Sequence, residues 1–220
     1  MKKQTMISDN TKRLTGVAAF SALAFGISLV TNIPVGFLTF DAKDAVITIA
    51  AFIYGPLSAV AMSLITAFLE SVSVGNTGPW GLLMDIISTL SFTFTASLIY
   101  KYKRKLLGAL AALGSASVVY VAVMMVANLL ITPLYMGVGV DAVKAIIPTM
   151  LLPFNIAKAL MNSALVMLIY KPVSKLIRRI GLAKPSEGKG SSSRRDTVLI
   201  LSIAAVIFIA ALVIFLILRK

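Results

Sequence analysis

The chain has 220 residues, of which 59% are hydrophobic and 13% charged, with a formal net charge of +13 and neither cysteine nor histidine. Soluble domains average about 45–50% apolar and 25% charged residues, so the solvent that suits this composition is lipid. The missing residue types exclude disulfides, thiol nucleophiles, imidazole bases and most zinc or haem ligation, and no GxxxxGKS/T run offers a phosphate loop for ATP.

A spanning helix needs about 20 mostly apolar residues. The first candidate runs from about Arg13 to Thr31 and ends at Asn32-Ile33-Pro34. Its basic N-terminal flank resembles that of a signal peptide, but no clear A-x-A cleavage site follows, so the segment reads as a retained first helix. A polar loop at 35–44 leads into an apolar run from Ala45 to Leu69. Tyr54-Gly55-Pro56 breaks that run, and Gly-Pro is a strong turn signal. Two short helices at about 44–54 and 57–72 are therefore expected, paired as a hairpin inside a bundle.

After a loop at 71–79, a fourth helix spans about 80–100 and stops at the basic cluster 101–105. A fifth covers about 106–132 and stops at Thr132-Pro133. A loop and a short apolar piece lead to Pro153, and a sixth helix runs from there to about Tyr170. The expected organisation is all-α and membrane-integral, with about seven helices. Residues 1–180 form a six-helix core, 181–196 a basic Gly/Ser linker, and 197–220 an additional C-terminal transmembrane helix.

The basic residues set the orientation. Lys2, Lys3, Lys12 and Arg13, then Lys101, Lys103, Arg104 and Lys105, then Lys171, Lys175, Arg178, Arg179, Lys184, Lys189, Arg194 and Arg195 fall on one side. These are sixteen of the 21 Lys and Arg, and the positive-inside rule puts them and the N-terminus in the cytoplasm. This distribution favours a membrane topology signal over a nucleic-acid face. Loops 32–44, 71–79 and 132–147 then lie outside. Rich in Gly, polar and aromatic residues, they suit either a lidded pocket or ordinary solvated loops.

Ionisable groups at membrane depth are costly and usually mark function or a paired network. Lys158 lies five residues after Pro153, and Asn155 lies three before it on the same helical face. The two suit a small ligand rich in carbonyls and hydroxyls; alternatively Lys158 snorkels outward or pairs with Asp85, which lies at similar depth. Glu70 reads as an interfacial charge near the outer end of the third helix. Asn128 and Asn162 suit either ligand contacts or interhelical hydrogen bonds. Trp80, Phe37, Phe40, Phe154 and Tyr135 gather near the outer boundary, where they would stack on a flat heteroaromatic ligand or form an aromatic belt. Ala18, Ala22 and Gly26 recur every four residues along the first helix. That spacing makes a smooth face for another helix, here a docking face for a partner subunit.

With these residues in view, the chain resembles the substrate-binding S components of energy-coupling factor (ECF) vitamin importers. The resemblance rests on FLTFDAKD (37–44), YGPLSAV (54–60), NTGPWGLLMD (76–85) and LLPFNIAKALMN (151–162), with ITPLYMG (131–137) in support. In order, these cover about residues 10–180. PFNIAK and the 130–137 stretch are most similar to riboflavin-specific members. The resemblance implies a multi-pass protein of a bacterial cell membrane that binds riboflavin or a related flavin near its outer face. It also implies a small-residue face on the first helix meeting a membrane coupling subunit, with two ATP-hydrolysing subunits below.

By the same resemblance Asn155 and Lys158 match positions expected to contact the vitamin; Asp85, Phe40, Trp80 and Asn128 join the expected site on their own placement in the chain. Asp85 stands where the family pattern leads one to expect Asn. No cofactor, metal or covalent chemistry is expected of this chain, and the seventh helix lies outside the six-helix pattern. The rival expectations are another vitamin, a free-standing transporter using Asp85 or Glu70 as a proton site, and an intramembrane enzyme. The last would need a Ser–Lys or paired-carboxylate site.

Overall fold

A computed structural model describes residues 2–73, 78–104, 106–179 and 194–218. In chain order the elements are α1 (Lys2–Thr31), β1 (Ile33–Val35), β2 (Leu38–Phe40), α2 (Lys43–Tyr54), α3 (Pro56–Ser73) and α4 (Gly78–Tyr102). They continue with α5 (Leu106–Met136), α6 (Val140–Ile146), one π turn (Ile147–Leu151), α7 (Leu152–Arg179) and α8 (Arg194–Leu218).

Among the described residues six segments are long and apolar enough to cross a membrane. They are Asn10–Thr31, Pro56–Ser73, Gly78–Tyr102, Leu107–Met136, Val140–Tyr170 and Leu201–Leu218. The remaining rod, α2, has 12 residues, about 18 Å at 1.5 Å per residue, too short to cross alone. Every residue from Lys43 to Phe52 is buried, and α2 packs against α1, α3, α4 and α7. It is a buried rod around which α1, α3, α4 and α7 are arranged.

Lipid supplies no hydrophobic force between helices, so close packing and hydrogen bonds hold the bundle together. Small residues let backbones approach: Ala50, Ala59, Ala96, Ala112, Ala116 and Ala157 are fully buried. The Ser63 and Thr93 hydroxyls join α3 to α4 at 3.2 Å, and Ser117 and Ser163 join α5 to α7 at 3.0 Å. Such intramembrane hydrogen bonds contribute on the order of 0.6 kcal/mol each. Phe52 stacks on Tyr100 at 4.1 Å, and the Tyr100 hydroxyl bonds that of Tyr170. Leu57, Phe68, Val118, Val126, Leu130 and Val206 are exposed around the periphery, where lipid covers them.

The structure departs from the sequence reading in several places. The polar loop expected at 35–44 is largely a β-hairpin, with Ile33 opposite Phe40, Pro34 opposite Thr39 and Val35 opposite Leu38. Gly36, at φ +60°, is the first of its two central residues, the position where a type II′ turn favours glycine. Helix α5 passes through Pro133 to Met136 and α7 through Pro172 to Arg179, because a membrane helix can re-satisfy the carbonyl a proline strands. Helix α8 begins at Arg194, inside the stretch expected to be linker. Most of that linker, and Asn76 of the 71–79 loop, lie outside the described residues.

Candidate functional site

The hairpin, the last turn of α3, the first turns of α4 and α7 and the C-terminal half of α5 meet at one end of the bundle. They enclose a cavity of about 520 Å³, within the range of about 300–1,000 Å³ common for small-molecule sites. At the opposite end, Arg13 Nη2 donates to Ser58 Oγ at 3.0 Å, beside the α2–α3 turn at Gly55.

A chain of charges ties these elements together. Thr31 at the end of α1 accepts the Ala42 N–H at 3.1 Å, which brings the hairpin back over the bundle. Asp41 follows the hairpin: its Oδ1 accepts the Lys43 backbone N–H at 3.1 Å, and its Oδ2 accepts from Lys158 Nζ at 2.9 Å. Lys43 Nζ reaches Glu70 Oε2 on α3 at 2.5 Å and Asp85 Oδ1 on α4 at 2.6 Å. Burial pushes the Asp41 carboxyl up, but Lys158 and Lys43 beside it outweigh that and hold it below the ordinary carboxylate range.

Lys158 and Asn155 do share the cavity-lining face of α7. The pairing of Lys158 with Asp85 is overturned: Lys158 pairs with Asp41, and Asp85 with Lys43. Helix rotation and the path of the hairpin decide this, and depth along a helix specifies neither. Glu70 is more than an interfacial charge, since it completes the Lys43 cluster and lines the cavity.

The π turn ends just before α7, and Asn155 Nδ2 donates to the Leu151 carbonyl at 2.7 Å. The amide oxygen and the second amide N–H of Asn155 remain for the cavity. Asn128 also lines the cavity, but within α5 it donates to Met124 O at 2.8 Å and accepts from Thr132 Oγ1 at 3.0 Å. Its hydrogen bonds are therefore intrahelical and not interhelical. Asn162 does reach across, toward the Asp41 carbonyl at 3.5 Å.

The aromatic expectations divide. Phe37, Tyr135, Trp80 and Phe154 line the cavity, with the Phe37 and Tyr135 rings 6.2 Å apart. Phe40 does not: it is 4% exposed and packs edge-on against Phe215 of α8 at 5.3 Å. Thr39 meets Lys158 through its backbone carbonyl and Asp41, just past the strand, through its carboxylate, while the Phe40 ring packs toward α8. Tyr120 on α5 lines the cavity and is fully buried against Phe92. The sequence reading missed Tyr120, because a tyrosine in an apolar run carries no local mark of a site. Asp41 and Lys43 lie at the end of the 32–44 loop, where a charge by itself suits a solvated segment as well as a site. Among the described residues no group of acidic side chains is arranged to hold a metal ion.

A ligand-sized cavity with aromatic walls and a charged, hydrogen-bonded edge, built into one end of a membrane helix bundle, defines a membrane-embedded small-molecule binding protein. The family model described as "ECF transporter, substrate-specific component" matches residues 12–170, and the chain belongs to that family. It is 29% identical over 183 residues to the riboflavin transporter RibU of Staphylococcus aureus (strain TCH60), covering 78% of this chain and 95% of that protein. To the riboflavin transporter FmnP of Bacillus subtilis (strain 168) it is 26% identical over 172 residues, covering 72% and 90%. A solved structure described as the S component of a bacterial ECF transporter superposes with a TM-score of 0.66 at 28% identity. That match covers 77% of this chain and 99% of the other.

Proposed function

We propose that the cavity captures riboflavin from outside the cell and that the chain delivers it inward as part of an ECF complex. The observation that carries this reading is the pairing of aromatic walls with Lys158 and the Asn155 amide oxygen at one edge. An isoalloxazine ring has two flat apolar faces, an edge of two carbonyls flanking an N–H, and a ribityl chain of hydroxyls. Phe37, Tyr135 and Trp80 suit the faces. Lys158 suits a ring carbonyl, the Asn155 oxygen suits the N–H, and Asp85 and Glu70 suit the ribityl hydroxyls. Asn128 contributes to the wall while its polar atoms remain engaged in α5. The two riboflavin transporters that resemble the chain support the same ligand.

The asymmetry of Lys and Arg supports a cytoplasmic N-terminus in the cell membrane, with the cavity end outside. No phosphate loop is present in the sequence, so ATP hydrolysis falls to partners: a membrane coupling subunit and two ATP-binding subunits. Ala18, Ala22 and Gly26 are exposed on α1, while Val17, Ser21 and Ala24 face inward. This unoccupied small-residue face suits the coupling subunit.

The test is the absorbance spectrum of the purified, detergent-solubilised protein, before and after adding riboflavin. A flavin spectrum at about one per chain is expected. Protein that neither carries nor binds riboflavin would move the assignment to another vitamin.

A further inference from the structure

Helix α8 lies beyond the family match, which ends at residue 170. It runs antiparallel to α7, with Ala204 in the core beside Val166 and Met167, and Ala211 and Phe215 beside Met161 and Phe154. A lipid anchor needs only an apolar surface, and the exposed Val206, Ile209, Val213 and Leu216 supply one. The opposite side of α8 is more specific. Ala211 is completely buried, so α8 approaches α7 closely, and Phe215, 2% exposed, reaches past α7 to the ring of Phe40. Leu212 and Leu218 join the same cluster, which also takes in Ile33, Val35 and Leu38 of the hairpin.

Two strands of three residues each are too little sheet to hold themselves in place. The hairpin's residues next to Phe40 are nevertheless the ones that meet Lys158: Thr39 through its carbonyl at 3.4 Å and Asp41 through its carboxylate. Phe40 is thus fixed from the α8 side while its two neighbours are used on the cavity side.

We propose that α8 braces the binding site, with Phe215 as a positioning residue that holds the Phe40 hairpin against α7 and slows ligand release. Where the ligand is concerned, this rests on the riboflavin reading above. Without the contact, the hairpin loses the packing on its outer face, and the cavity wall carrying Thr39 and Asp41 opens more often.

The test uses the full-length protein in detergent or lipid nanodiscs. Phe215→Ala should raise the riboflavin release rate about five- to tenfold with little change in association, since interface changes act mainly on dissociation. Sites per molecule should stay the same, whereas a misfolded fraction would lower that number and leave the release rate of the rest untouched. Phe215→Leu should restore most of the slow release. Ile209→Ala, on the lipid face of the same helix, should match the parent.

Release from Phe215→Ala within about twofold of the parent would overturn the brace. A parent chain that does not bind riboflavin would instead overturn the ligand assignment, and a second readout needs no ligand. Amide hydrogen exchange at Leu38–Phe40 in ligand-free protein should quicken in Phe215→Ala and not in Ile209→Ala. Unchanged exchange there would overturn the brace whatever the vitamin.

Discussion

Lys158 Nζ and Asp41 Oδ2 lie 2.9 Å apart although 117 positions separate them in the chain, and each side chain is 7% exposed. The contact joins the first turns of α7 to the end of the hairpin. Because Asp41 also accepts the Lys43 N–H, and Lys43 holds Glu70 and Asp85, one contact links the hairpin and four helices around the cavity. The residues proposed to capture the ligand are therefore also ones that tie the bundle end together.

Lys158→Ala should weaken riboflavin binding by at least about tenfold and also destabilise the protein. Removing one partner of a buried pair costs about 3–5 kcal/mol, because the other charge stays buried. The double variant Lys158→Ala with Asp41→Asn removes that stranded charge, so its melting temperature should recover while its affinity does not. Equal recovery of both would mean that Lys158 acts only through stability, and titration alongside thermal unfolding separates the cases.

The Asp41 carboxyl is held below its ordinary value by the neighbouring lysines, against the opposing push of burial. A carboxylate with a lowered folded pKa contributes its full stability above the unfolded value and loses it only as pH falls through the folded one. The part of the stability difference between the parent and Asp41→Asn that comes from the Asp41 charge should therefore be lost only well below about pH 4. Thermal unfolding at a series of pH values checks this.

Lys43 is fully buried between two carboxylates. Lys43→Met should leave Glu70 and Asp85 uncompensated and destabilise the protein by about 3–5 kcal/mol. Asp85→Asn in the parent background should be tolerated far better, since Glu70 still neutralises the lysine. Added to Lys43→Met, Asp85→Asn should restore part of the loss. Chemical or thermal unfolding of the three variants reads the order directly.

Gly36→Ala should loosen the hairpin and weaken riboflavin binding. A side chain at φ +60° carries a backbone cost of about 1–2 kcal/mol, and the added methyl would run into Met150. Gly114→Ala is the control: Gly114 lies within α5, where nothing stands within 4 Å of the added carbon, and its affinity should equal the parent's.

Replacing Ala18 and Ala22 together by leucine should leave riboflavin affinity unchanged, because both side chains are exposed on α1 away from the cavity. Copurification with the coupling subunit should drop sharply. Normal assembly would remove this face from the docking surface.

Much of the architecture was legible in the sequence. The apolar runs, the Tyr54-Gly55-Pro56 break and the grouping of lysines and arginines specify a membrane bundle, its turns and its expected orientation. These are properties of residues partitioning one at a time between lipid and water, so they add up locally and need no partner. The ordered motifs at 37–44, 76–85 and 151–162 carried the resemblance to the family. The shared face of Asn155 and Lys158 followed from helical spacing alone.

The tertiary structure alone decided which charge meets which, that Phe40 turns from the cavity to Phe215, and that a 12-residue helix forms a buried rod. The physical reason is that each of these depends on the rotation of a helix about its axis and on contacts between distant segments. Hydropathy and spacing record how deep a residue sits and which neighbours share its face. They carry nothing about the residue, 117 positions away, that will stand opposite it.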